Sequence, residues 1–159
     1  MSISVDIVVE AGDWARIAHA ERTIRRAANA ALAHAADTEV AMVLTDDRHM
    51  QNLNRTWRGI DEPTNVLSFP APRLDAGPRV LGDVVFALET IEREAAAADK
   101  PVIDHLAHLT VHGALHLLGF DHVRETDAES MERRERAILA ELGVPDPYAV
   151  SEQSMTDPA

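Results

Sequence analysis

Four stretches of the chain have the apolar and polar pattern of β-strands. Ile3–Val9 and Glu39–Leu44 alternate between the two residue classes, the period of two that is typical of a half-buried strand. Val66–Phe69 is a short, mostly apolar segment closed by Pro70, and the mostly apolar segment Val80–Leu88 follows a proline-rich loop. Gly82 lies within the last of them and indicates a bulge or a close backbone approach. The pattern therefore predicts four strands.

Between and after these strands, apolar residues recur every three to four positions, which predicts amphipathic helices. Asp13 is expected to cap a helix that runs to about Ala36. Its buried stripe would be Trp14, Ile17, Ile24, Ala28 and Leu32. A second helix is expected to begin at an N-cap formed by Thr45 or Asp46 and to run to about Arg55, and a third to cover Glu89–Ala98. A fourth is expected from Pro101 to Leu118, and a fifth to follow a capping box at Thr126–Glu129.

This order of elements predicts an α+β fold: a small mixed sheet packed with helices around a central helix that carries histidines. A chain of 159 residues is long enough for one domain with a real core. We expect that domain to span residues 1–148. Residues 149–159 are polar and are expected to form a disordered tail.

Composition narrows the classes of function. The net charge of −12 is unusual for a nucleic-acid-binding protein, but residues 46–79 balance five arginines against five carboxylates. The chain has no cysteine, so a metal would be held by His, Asp or Glu. The N-terminus lacks a basic segment followed by an apolar run, and no apolar stretch approaches a membrane span. We expect a cytoplasmic protein.

The strongest candidate for chemistry is a set of three histidines with the spacing H-x3-H-x5-H. His112 and His116 are four residues apart, so they lie on one face of the predicted helix. Gly119 is expected to end that helix and to let the chain bring His122 back toward the other two. Three neutral imidazoles can hold a zinc ion with one position open for water, which is typical of a catalytic site. Nickel, copper and iron also accept such ligands.

The same spacing occurs in the zinc peptidase motif H-E-x-x-H-x-x-G-x-x-H. In that motif the glutamate after the first histidine is the general base. Gly113 occupies this position here, and glycine cannot accept a proton. The motif thus predicts the metal geometry without supporting peptidase chemistry.

Other side chains near these histidines have less specific roles. His105 and His108 extend the histidine face of the helix and could orient metal ligands, or merely line the groove. Asp121 could fix the tautomer of His122. The sequence names no single general base for hydrolysis. The candidates by residue type are Asp83, Asp121 and Glu125.

Several blocks of the sequence together resemble the YbeY family of bacterial metal-dependent endoribonucleases. They are HGALHLLGFDH at 112–122, LNRTWRG at 53–59, PTNVLSFP at 63–70 and LGDVV at 81–85. A C-terminal block also fits, from Met131 through Glu135, Leu139 and Leu142-Gly143 to Asp146-Pro147-Tyr148. The resemblance covers about residues 40–148.

The resemblance implies a mixed-sheet α+β fold with a zinc-type ion held by His112, His116 and His122. It implies cleavage of single-stranded RNA in ribosomal RNA maturation, notably at the small-subunit 3′ end, and in ribosome quality control. It points to Arg58 as a functional arginine near the metal. Asn65 stands where many members have Asp, and we expect a structural role for it as a turn or cap residue.

Charge suggests how RNA would be positioned. We expect Arg55, Arg58 and Arg73, with Arg48 and Arg79, to form a local strip for phosphates. Two other functions stay open from the residues alone: a non-catalytic ribosome assembly factor with a structural metal, and a zinc peptidase.

Overall fold

The computed structural model describes residues 2–35, 37–72, 77, 79–120 and 125–149. In chain order the elements are β1 (Ile3–Val9), α1 (Ala20–Ala31), β2 (Thr38–Thr45), α2 (Asp47–Arg58), β3 (Val66–Pro70), β4 (Arg79–Ala87), α3 (Leu88–Ala97), α4 (Val102–Leu117) and α5 (Glu125–Glu141). These elements form one small α+β domain, as predicted.

The four strands form one mixed sheet with the order β1-β2-β4-β3. The pairs β1–β2 and β2–β4 are parallel, and β3 is an antiparallel edge strand beside β4. The register between β2 and β4 shifts near Gly82, whose φ is 132°. A Cβ at this residue would lie 2.1 Å from the carbonyl oxygen of Phe69. The predicted close approach at Gly82 is therefore confirmed.

The helices cover the two faces of the sheet unequally. The main core lies between the sheet and α1, α3, α4 and α5, and contains the buried side chains Ile24, Met42, Phe86, Leu106, Leu115 and Leu139. Helix α4 packs against α1, α3, α5, β3 and β4, so the histidine-bearing helix is central. Among the helices that the structure describes, only α2 covers the opposite face, where Met50, Leu67, Val85 and Ala87 form a second, smaller cluster. None of the helices that the structure describes is long and apolar enough to cross a membrane.

The predicted continuous helix from Asp13 to Ala36 is wrong. A single 3-10 turn at Trp14–Arg16 is followed by a break, and α1 begins only at Ala20 after His19, which has a left-handed φ of 63°. The predicted stripe is nevertheless buried, because Trp14 and Ile17 still face the core from the separate turn. Burial of this apolar face thus does not require one uninterrupted helix.

Two helix ends also differ from the prediction. Helix α2 continues past Arg55 to Arg58 before Gly59, with φ 71°, caps it. The last helix begins at Glu125, so Thr126 lies inside it rather than at its N-cap. Within the tail expected over 149–159, only Ala149 is described, and the boundary at residue 148 stays a prediction.

Candidate metal centre

Helix α4 places His112 and His116 one turn apart on the face that points away from the core. Their Nε2 atoms are 3.1 Å apart, and both side chains are partly exposed. Zinc–nitrogen bonds of about 2.0–2.1 Å in a tetrahedral site require ligand atoms about 3.3 Å apart. The two nitrogens therefore have nearly the separation that two ligands of one zinc ion need.

The other ring nitrogen of His112 is held by a carboxylate. Its Nδ1 lies 2.5 Å from Oε1 of Glu135, a residue of α5 that is fully buried. A carboxylate that accepts a hydrogen bond from Nδ1–H leaves Nε2 with its lone pair available for a metal. Helix α5 thus fixes the tautomer and the orientation of a candidate ligand on α4.

Glu135 accepts further hydrogen bonds from His108 Nε2, at 3.1 Å, and from the Tyr148 hydroxyl. Burial alone would raise the pKa of Glu135, but the hydrogen bonds from His108, His112 and Tyr148 outweigh it and lower the pKa to about 2. Burial and the hydrogen bond to this carboxylate raise the pKa of Tyr148. At neutral pH the centre of the network is therefore an ionised carboxylate with neutral Tyr148 as a donor.

His108, His112 and Glu135 offer ligand atoms within 4.8 Å of one another, so this group could itself hold a metal ion. The contact of 2.5 Å between His112 and Glu135 is, however, shorter than the separation of about 3.3 Å between two zinc ligands. It has the length of a charge-assisted hydrogen bond. We therefore favour Glu135 as the residue that orients His112, with the metal on the Nε2 side.

A groove with a volume of about 440 Å³ lies in front of these two nitrogens. It is lined by Arg58, Thr64, Asn65, Val66, Leu67, Ser68, Pro70, His112 and His116. Arg58 is exposed at the end of α2, on the wall formed by α2 and β3. Among the residues that the structure describes, no carboxylate forms an ion pair with Arg58. The groove thus combines two imidazole nitrogens with a guanidinium suited to a phosphate.

The remaining predicted site residues lie either outside the described residues or away from the two histidines. His122, Arg73 and Asp121 lie outside the described residues, as does the side chain of Glu125. Asp83 lines a separate groove on the α2 face of the sheet, so it does not face the two histidines. Arg55 is exposed and lies 3.7 Å from Asp61.

His105 and His108 play different structural parts. His105 is buried and pairs with Glu94 at 2.8 Å, away from the two candidate ligand nitrogens. Burial lowers the pKa of His105, although the hydrogen bond to Glu94 opposes this effect. His108 instead shares Glu135 with His112. The prediction of an orienting partner therefore fits His108 through that carboxylate.

The geometry around Gly113 argues further against the peptidase. A Cβ on Gly113 would lie 2.6 Å from Cγ1 of Val84, a fully buried side chain of β4. A glutamate at this position would meet the sheet, so the catalytic base of the peptidase motif has no room. The close approach also brings Gly113 O within 3.0 Å of the Ser68 hydroxyl on the edge strand.

Asn65 has the structural role that we expected. Its Oδ1 accepts a hydrogen bond from the N–H of Val66 at 2.6 Å, and its Nδ2 donates to Glu94 at 2.9 Å. Its backbone oxygen accepts from the N–H of Ala87. The side chain therefore fixes the start of β3, at one end of the groove.

Glu135 and Tyr148 are the members of the site that pattern reasoning left without a role. A signal for Glu135 existed, because it lies on the same stripe of α5 as Met131, Ile138 and Leu139, which are all buried. A carboxylate on an apolar stripe requires buried partners. Histidines on the neighbouring helix were the available donors.

Comparison with known proteins gives a consistent result. A family model described as "Endoribonuclease YbeY" matches residues 9–143. A protein named "Endoribonuclease YbeY" from Rhodopseudomonas palustris (strain BisB18) is 51% identical over 155 residues, which cover 92% of either chain. One of the same name from Bradyrhizobium sp. (strain BTAi1) is 50% identical over 160 residues and covers 94% of this chain and 95% of its own. A solution structure of a Thermotoga maritima protein has a TM-score of 0.58 at 22% identity, covers 97% of both chains, and shows the same fold.

Proposed function

The chain belongs to the YbeY family of endoribonucleases, and we propose that the groove beside α4 is its metal-dependent site for the hydrolysis of single-stranded RNA. The observation that carries the proposal is the pair of Nε2 atoms, 3.1 Å apart, with Arg58 on the same groove. One side of the groove suits a metal ion and the other suits a phosphate. A phosphodiester bound between them would meet both.

We propose that the metal is zinc and that His112, His116 and His122 hold it. The separation of the two described nitrogens supports this choice, as does the hydrogen bond that fixes Nδ1 of His112. When bound, such an ion would neutralise charge on the phosphoryl group and activate water as the nucleophile.

The chain's own residues would bind the phosphate and orient the metal ligand. Arg58 would bind a non-bridging phosphoryl oxygen and stabilise the negative charge that develops there. Glu135 would keep His112 in one orientation by its hydrogen bond to Nδ1. Arg55 and Arg73 would bind phosphates of the RNA, as members of the arginine strip.

We further propose that the substrate in the cell is ribosomal RNA, with the 3′ end of the small-subunit RNA as the expected target, and that the protein acts in the cytoplasm on ribosomes or their precursors. Membership of the family supports this placement. A groove that is partly walled by an edge strand and a helix end fits an unpaired strand better than a duplex.

The test is cleavage of an unstructured RNA by protein of known metal content, beside His116→Ala and Arg58→Ala. We expect His116→Ala to abolish cleavage and to lower the zinc content. Arg58→Ala should retain zinc and lose about 100-fold or more in kcat/KM, the typical effect of removing one charge-stabilising group. Cleavage by His116→Ala at the wild-type rate would refute the proposed site.

The same variants separate the endoribonuclease from an assembly factor with a structural metal. An assembly factor would lose thermal stability on chelation and would show no RNA cleavage. It would also keep its function in cells after Arg58→Ala.

A further inference from the structure

A second groove lies beside the groove in front of His112 and His116, which we call the metal groove, and it lies on the face of the sheet against which α2 packs. It has a volume of about 460 Å³ and is lined by Glu10, Val43, Leu53, Trp57, Phe69, Pro70, Asp83 and Val85. Its most prominent feature is Trp57, whose side chain is 68% exposed although Trp is usually buried. The metal-site chemistry proposed above uses none of these residues, and Pro70 is the one described residue that lines both grooves.

Trp57 is exposed but held in place. It belongs to the last turn of α2, which Gly59 closes by donating its N–H to the Arg55 carbonyl at 3.1 Å. The ring of Phe69 on β3 meets the indole edge to face, with ring centroids 6.1 Å apart and an interplanar angle of 72°. This contact covers one part of the indole and leaves the rest open. The exposure is therefore a fixed feature of the fold and not the result of a frayed helix end.

The two grooves adjoin each other. Pro70 lines both of them, and the consecutive residues Trp57 and Arg58 line one groove each. A strand that places a phosphate against Arg58 would therefore have a neighbouring nucleotide beside Trp57. Glu10 and Asp83 would repel a second phosphate in the Trp57 groove, so the groove fits the base of that nucleotide. Carboxylates can also accept hydrogen bonds from the amino groups of bases.

We propose that Trp57, supported by Phe69, is a stacking platform for an unpaired base of the RNA strand that crosses the metal groove. This site rests on the proposed function and extends it, because it explains a preference for single strands. A base in a duplex is already stacked and paired, and it cannot lie flat on an indole at the protein surface. Stacking on aromatic side chains tolerates any base, since every base has a π-face.

The chain provides its own spectroscopic reporter for the test. Its two tryptophans are Trp57, which is exposed, and Trp14, which is 5% exposed. We would titrate metal-loaded protein with a phosphorothioate-linked oligoribonucleotide that resists hydrolysis. We expect quenching of Trp57 fluorescence and protection of Trp57 from acrylamide. Trp57→Phe, which retains only Trp14, should show neither change.

Affinity and its dependence on salt complete the test. Trp57→Ala should weaken binding of the oligomer about 5- to 100-fold, and Trp57→Phe should weaken it less than about 3-fold. Trp57→Ala should leave the slope of log Kd against log salt unchanged, because it removes no phosphate contact. Arg58→Ala should lower that slope by about one charge. An oligomer with the same backbone and no bases should bind wild type and Trp57→Ala equally.

The failures are distinguishable. Wild-type affinity for Trp57→Ala, in a protein that still cleaves RNA, would overturn the stacking platform and leave the proposed function intact. No binding or cleavage by any protein, wild type included, would overturn both. Fluorescence that follows protein concentration rather than RNA, together with a dimer that Trp57→Ala dissociates, would assign the surface to a second copy of the chain and overturn the proposal.

Discussion

Replacement of Glu135 by Gln tests the buried network at its centre. The wild-type carboxylate is fully buried and accepts hydrogen bonds from His108, His112 and Tyr148. The amide oxygen of Gln can still accept, but its NH2 group would face one of the donors. At least one hydrogen bond of the wild-type network is therefore lost, because that group must either accept from the amide instead of donating or lose its partner.

The structure sets the size of the effect. Losing a hydrogen bond to a buried charged group costs about 1.5–3 kcal/mol. Glu135→Gln also removes a charge that was costly to bury, which offsets part of the loss. We expect the free energy of unfolding to fall by about 2–3 kcal/mol, which corresponds to about 4–12 °C in Tm for a domain of this size. The protein should remain folded at 25 °C.

Zinc affinity provides the functional measurement. Loss of a carboxylate that orients a ligand histidine typically weakens metal binding about 10- to 100-fold. We would measure the zinc Kd by competition with a chelating dye and the stability by denaturant unfolding in chelator. The matched control is Glu132→Gln, the same chemical change at a partly exposed position of α5. This control should alter stability by less than about 0.5 kcal/mol and leave zinc affinity unchanged.

The outcome discriminates between two roles of Glu135. An unchanged zinc Kd in a destabilised protein would refute the orienting role and leave Glu135 as a structural residue only. A loss far beyond 100-fold would identify the carboxylate as a direct ligand, within the group that it forms with His108 and His112.

Three further predictions concern the frame around the site. Gly82→Ala should destabilise the protein by about 3 kcal/mol or more, because its Cβ would overlap the Phe69 carbonyl oxygen and the φ of 132° would be strained. Denaturant unfolding would measure this loss, and an unchanged unfolding midpoint would contradict the bulge at Gly82. Asp46→Ala should lower the free energy of unfolding by about 1 kcal/mol, since the Asp46 side chain accepts a hydrogen bond from the third helical N–H of α2 at 2.9 Å. Asp46→Asn should lower it less, and equal stability of wild type and both variants would refute the cap. Burial lowers the pKa of His105 in the folded protein despite its hydrogen bond to Glu94, so the unfolded chain binds a proton at His105 more readily than the folded chain does. The stability that the folded protein has with neutral His105 is therefore complete above about pH 6.5 and is lost as the pH falls toward the folded pKa. The free energy of unfolding, measured from pH 7.5 to 5, should fall in wild type and should fall less in His105→Gln. Parallel stability curves for the two proteins would contradict this role of His105.

The sequence determined much of the architecture, because local patterns and buried stripes act at short range. Alternation predicted β1 and β2, short apolar segments predicted β3 and β4, and the stripe from Trp14 to Leu32 was buried as expected. The same pattern could not show the break before Ala20. Apolar spacing reports which side chains face the core, and a turn followed by a helix can present the same face as one helix.

The sequence likewise placed the candidate metal ligands His112 and His116 on α4. His112 and His116 share a face because a helix has 3.6 residues per turn, a fact independent of the rest of the fold. Gly113 could be interpreted as the absence of a peptidase base. The reason that no side chain fits there is the contact with Val84 on β4, which only the packing of the helix on the sheet reveals.

What only the tertiary structure decided is which distant residues meet. Glu135 lies 23 residues from His112 along the chain, and their contact depends on how α5 packs against α4. Arg58 comes from the opposite face of the sheet and reaches the metal groove at the edge strand, while its neighbour Trp57 lines the other groove. Residue type and spacing specify donors, acceptors and helix faces. The distances between elements follow from core packing, which is a property of the whole chain.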